Sequence, residues 1–135
     1  MEKTEQAAAK EQQRDVIQRL KEEPTAENLW HAVVAFQHTP FKTSSGLDFQ
    51  YEIKKGRNGN LTKELWIDRR EKSKSLSWSS IRLAFSHALE MEEVVDRPKA
   101  LGDIRGISYI YPILWRCGLI RVPEKIAENM KTEND

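Results

Sequence analysis

The sequence predicts an α+β fold: a small β-hairpin or three-stranded antiparallel sheet packed on three to four helices. Two observations carry this. Leu47, Phe49, Tyr51 and Ile53 alternate with Asp48, Gln50, Glu52 and Lys54, the period-two signature of a strand with one dry and one wet face. Further on, Ile81, Ala84, Phe85, Ala88 and Leu89 follow the i, i+3, i+4, i+7, i+8 pattern of a helix laid on a core. At 135 residues the chain has material for one such core and hardly two.

Residues 4–23 are rich in Ala, Gln, Glu, Lys and Arg, with Val16, Ile17 and Leu20 as the large apolar side chains. The segment favours helix but has little to bury, and Pro24 ends it. It reads as a partly ordered helical arm over residues 1–23, preceding a single α+β domain over 24–122. Thr25 caps the next helix, whose Leu29, Trp30, Val33, Val34 and Phe36 recur at helical spacing up to Thr39 and Pro40.

After the first strand, Gly56, Asn58 and Gly59 accept positive φ, so the chain reverses into a second strand over about 61–69. Leu65 and Ile67 share its buried face, which leaves Trp66 with Glu64 and Asp68 on the other. A two-stranded ribbon is marginal alone, so a third strand is expected from Ser73–Leu76 or Leu119–Val122. Ser77 then caps the amphipathic helix, and a loop containing Pro98 runs to about Gly106. SYIYPILWRCG reads as a buried helix capped by Ser108, with Pro112 in its first turn and Gly118 as the C′ residue. Residues 123–135 are a flexible polar tail.

Residues TSSGLDFQYEIK, RREKSKSLSWSSI and RPKALGDIRGISYIYPILWRCGLI resemble a family of short, uncharacterised proteins from Gram-positive bacteria, over about residues 39–121. The likeness rests on Thr43, Gly46, Leu47, Phe49 and Tyr51; on Lys74, Ser75, Ser77 and Ser80; and on Pro98, Lys99, Leu101, Gly102, Ser108, Tyr109, Tyr111 and Pro112. Where the family's loop continues Gly-x-Phe-Gly-Ala-Ser, this chain has Gly102, Asp103, Ile104, Arg105, Gly106, Ile107 and Ser108. The resemblance implies a bacterial protein with a shared small α+β fold and no established activity.

Apolar residues make up 39% of the chain and charged ones 32%, a wet but foldable composition. No apolar run approaches the roughly 20 residues of a membrane span, and the first residues lack the apolar core of a signal peptide. The single cysteine, Cys117, has no partner for an internal disulfide. A cytoplasmic protein with no membrane association is the expectation.

The net charge is +1, yet residues 54–82 hold nine Lys and Arg against three acidic residues, a local +6. Lys54, Lys55, Arg57, Lys63, Arg69, Arg70, Lys72 and Lys74 are therefore candidate contacts to the phosphates of DNA or RNA, with Trp66 and Trp78 available for stacking. The plainer reading is a solvated hairpin whose charge balances the acidic remainder. The alternative function is a protein–protein adaptor that docks through Val16, Ile17 and Leu20 of the leading helix and through Trp66.

An enzyme built on Glu52, Lys54 and Asp68, in the manner of a metal-dependent nuclease, is the least favoured reading, because Glu-x-Lys is abundant by chance. His31 and His38 stand two helical turns apart, too far to share an ion. The sequence thus points to a non-enzymatic binding domain, nucleic-acid-binding or regulatory, with no cofactor, no metal and no catalytic residues. It is silent on oligomeric state.

Overall fold

A computed structural model describes residues 2–69 and 74–132. Two compact units emerge, residues 1–37 and 38–135.

The first unit is a helical hairpin, α1 (Glu2–Glu22) and α2 (Ala26–Ala35), packed on each other. Thr25 Oγ1 accepts from the Asn28 amide at 3.1 Å, as its capping role predicts. The Asn28 side chain donates to the Glu23 carbonyl at 2.8 Å, closing the end of α1 that Pro24 leaves without further turns. Gln13 Nε2 donates to the Ala35 carbonyl at 3.3 Å, which ties the two helices at the other end. Val16 and Leu20 are buried. The leading helix is therefore built into a unit with α2 that ends at residue 37, where the sequence had suggested a separate arm ending at 23. Leu29, Ala32 and Val33 of α2 are buried as well.

The second unit is an antiparallel meander in the order β1-β2-β3-β4: β1 (Phe41–Lys42), β2 (Asp48–Lys55), β3 (Leu61–Arg69) and β4 (Lys74–Ser77). Of the two candidate third strands, the one preceding Ser77 forms. Phe49, Tyr51 and Ile53 of β2, Leu65 and Ile67 of β3 and Leu76 of β4 are buried on one face. That face is covered by α3 (Trp78–Glu90) and α4 (Ile107–Arg116). Phe41 pairs with Phe49 and stacks on it at 5.4 Å, so β1 exists to bring an aromatic ring to the sheet edge. Leu47, read as the first inward strand residue, lies before β2 and is 65% exposed. It belongs to the turn that Gly46 enters at φ +88°, so it never enters the pleat.

Ser77 caps α3 by accepting from the Ser80 amide at 3.3 Å, and Ile81, Ala84, Phe85 and Ala88 are buried. Leu89 is not: it is 49% exposed. At about 100° per residue it lies about 90° from the centre of the stripe formed by the other four, within a turn of the helix end. Beyond α3 the chain is anchored by Val95, whose amide donates to Arg121 O at 2.8 Å and whose carbonyl accepts from the Tyr111 hydroxyl. Burial, and then the charge of Asp96, push that phenol up to about 12.

Helix α4 starts earlier than its sequence suggested. Gly106, at φ +80°, is the N-cap, and its carbonyl accepts from Tyr109 and Ile110; Ser108 is exposed within the first turn. Pro112 consequently falls inside the helix, where it withdraws the donor for the Ser108 carbonyl but fills buried apolar space. The other end is as expected. Gly118 N bonds Trp115 O at 2.9 Å and Leu119 N bonds Leu114 O at 3.0 Å, the paired bonds of a Schellman cap.

The presumed polar tail includes a short helix, α5 (Glu124–Met130). Met130 is buried and Asn129 Nδ2 donates to Ser44 O at 3.1 Å, two attachments that a polar sequence of this length does not advertise. Among the described residues no helix is long and apolar enough to cross a membrane.

Cys117 is buried, and its thiol is pushed up to about 12 by that burial against a smaller opposing pull from Arg116. Thiolate is the reactive form. A disulfide reagent such as DTNB is therefore expected to leave the native chain unmodified and to label one thiol per chain once urea unfolds it. Prompt labelling of the native protein would contradict the packing around α4.

Candidate functional site

The basic stretch is continuous in sequence, but the strands divide it between the two faces of the sheet. Lys54 points to the open face. Its ammonium lies 3.3 Å from Glu64 Oε1, donates to Ser75 Oγ, and sits 4.9 Å from the centre of the Trp66 ring. The Glu64 carboxyl is held below its usual range by Ser75 first and Lys54 second. It thus stays ionised further into acid than a free glutamate, and the Lys54 charge is largely answered within the sheet.

Lys63, Arg69 and Lys74 belong to the other face, at its margins. Lys63 stands over Trp78 at 5.7 Å, beside the start of α3. Arg69 pairs with Phe49 and Lys74 with Ile67, which aims both cations at Tyr109 from adjacent strands. The Arg69 guanidinium donates to the Tyr109 hydroxyl, and both charges lie 5.7 Å from its ring centre. Tyr109 is itself fixed edge-on against Phe49 at 5.1 Å. Cation–π contact of this kind orders a cation without neutralising it. Nothing local in the sequence links Tyr109, on a largely apolar helix, to Arg69, 40 residues away.

Lys55 and Arg57 are exposed at the β2–β3 turn, where Gly56 N bonds Asn60 O at 2.8 Å and Gly59 takes φ +81°. Together with Lys74 they form no ion pair with any described residue. Arg70 and Lys72 lie outside the described residues.

Of the adaptor residues, Val16 and Leu20 are buried and Ile17 is half-buried. Among the described residues of α1 these three side chains therefore do not form an open apolar stripe. Trp66 is 38% exposed, on the face its register predicts. It sits opposite Glu52, while Gln50 faces Asp68 one step along. His38, Gln50, Glu52, Trp66 and Asp68 line a shallow cleft there.

That cleft also contains the carboxylates of the nuclease reading. Glu52 lies 3.9 Å from His38, Asp68 accepts from Gln50 at 3.5 Å, and Lys54 is engaged by Glu64 and Ser75. Among the described residues no group of three His, Cys, Asp or Glu side chains is placed to hold a metal ion. Comparison with protein-family models, with curated proteins and with solved structures finds no match to this chain.

Proposed function

We propose that the chain is a non-enzymatic accessory domain that holds a nucleic-acid backbone against the basic margins of its sheet. The observation that carries this reading is the convergence of Arg69 and Lys74 on Tyr109. Two adjacent cations are pre-ordered there, in direct sequence continuity with Arg70 and Lys72. Pre-ordering matters because a flexible lysine otherwise loses side-chain entropy on contact.

Lys63 stands six positions before Arg69 on the same strand, a separation of about 20 Å. That is about the axial rise of six base pairs in a B-form duplex. Lys55 and Arg57 extend the basic margin past the turn. Lys54 is left out of this surface, since its partners are inside the sheet.

The test is anisotropy of a labelled oligonucleotide of about 20 residues, single- or double-stranded, titrated with the protein over a range of salt. The parent is expected to bind duplexes of unrelated sequence about equally. The R69A/K74A double variant is expected to flatten the log–log salt slope for duplex by about 0.9 per lost phosphate contact, about 1.8 in all, while K54A leaves it unchanged. No retention of any strand at low salt, or a slope indifferent to R69A/K74A, would remove the proposal.

A further inference from the structure

We propose that the open face of the sheet receives an arginine side chain from a basic polypeptide segment, with the guanidinium against Trp66 and between the carboxylates of Glu52 and Asp68. This inference does not depend on the nucleic-acid reading, and the two concern opposite faces.

Among the described residues the open face carries Asp48, Glu52, Glu64 and Asp68 against Lys42 and Lys54. Glu64 is matched by Lys54, so the unmatched carboxylates nearest Trp66 are Glu52 and Asp68. Glu52 sits directly across from the indole, and Asp68 lies two positions along the same strand, both within about 7 Å of it by sheet geometry. Among the described residues neither carboxylate has a Lys or Arg partner: Glu52 has His38 at 3.9 Å, and Asp68 has the Gln50 amide at 3.5 Å.

Trp66 already attracts one cation, Lys54, to 4.9 Å from its ring centre, and it remains 38% exposed. An indole half-open in a cleft of acceptors suits a flat cation better than a neutral apolar group. Guanidinium stacks on the ring and keeps donors in its own plane for carboxylates on two sides, whereas an ammonium is a hydrated point charge. The same carboxylates repel a phosphate backbone. The occupant is therefore a polypeptide rather than a nucleic acid.

The measurement is a titration of the ¹⁵N-labelled full chain with the peptide Ac-Arg-Gly-Arg-Gly-Arg-NH₂ and with its lysine and citrulline counterparts. The readout is the Trp66 indole N–H resonance, assigned by its loss in Trp66→Phe. The arginine peptide is expected to shift that signal saturably, the lysine peptide to bind several-fold more weakly, and the neutral citrulline peptide not to bind. Glu52→Gln and Asp68→Asn, both exposed and tolerant of exchange, are each expected to weaken arginine-peptide binding roughly two- to five-fold, the range of an exposed charge pair. Equal response to arginine and citrulline, indifference to both carboxylate variants, or displacement of the Trp66 signal by an oligonucleotide would overturn the proposal. So would a shift with protein concentration alone, which would mean that a second copy covers the face.

Discussion

Replacing Phe85 with alanine is expected to lower the free energy of unfolding by about 3–5 kcal/mol, the usual cost of deleting a buried ring and leaving a cavity. Phe85 is 5% exposed and shares its stripe with Ile81, Ala84 and Ala88, of which Ile81 and Ala84 are fully enclosed. Two helices and the sheet meet there, since α3 contacts α4, β3 and β4. Such a site relaxes poorly, because each neighbour is held by a different element. Leu89→Ala on the same helix supplies the contrast: its side chain is 49% exposed, so the change is expected to cost no more than about 0.5 kcal/mol. Urea unfolding followed by far-ultraviolet circular dichroism measures both. Equal costs for the two variants would mean that α3 is rotated from the orientation described.

That contrast also marks how far periodicity can be read. The stripe is legible because four positions repeat within about two turns, but the pattern by itself does not say where the opposing surface ends. Leu89 satisfies the spacing arithmetic and still lies on the shoulder of the helix. In the sheet the alternation of Phe49, Tyr51 and Ile53 was decisive, since one face is covered by helices and the other is open. β1 was not readable: two residues, Phe41 and Lys42, cannot display a period. Their pairing with Phe49 and Asp48 depends on the turn between them, at Gly46.

The candidate site was legible in composition and not in arrangement. A run of cations from Lys54 to Lys74 looks like one surface when written as a line. Side chains on a strand alternate, however, so Lys54 joins Glu64, Trp66 and Ser75 on one face while Lys63, Arg69 and Lys74 lie along the margins of the other. The register follows from the sequence once Leu65 and Ile67 are taken as buried. What it could not provide was the identity of the groups waiting at each cation, because Tyr109 arrives on a helix whose angle to the sheet is set by packing. Trp66 was the exception. An indole out of phase with its strand's buried positions is visible in the sequence itself.

Gly106→Ala is the second change with a large expected effect, and it acts through backbone geometry. Gly106 adopts φ +80° and ψ +11° as the N-cap of α4, a left-handed conformation that costs an L-residue about 1–2 kcal/mol. Its α-carbon also faces β4 at close range: a methyl group placed there would lie 2.4 Å from Leu76 Cδ1. Leu76 is 2% exposed and pairs with Leu65 in the sheet, so it has little room in which to yield. Forcing a methyl into such packing typically costs about 1–3 kcal/mol more. The two terms act together, since relieving the clash by moving the backbone would disturb the bonds from Tyr109 and Ile110 to the Gly106 carbonyl. A total of about 2–5 kcal/mol is expected, read as a lower urea midpoint at unchanged slope. Gly59→Ala separates the contributions. Gly59 has a similar φ of +81° but no atom within 4 Å of the added methyl, so it carries the strain term alone and is expected to lose about half as much. If the two variants are equally stable, Leu76 yields freely and the close approach of α4 to β4 contributes nothing to fixing the helix on the sheet.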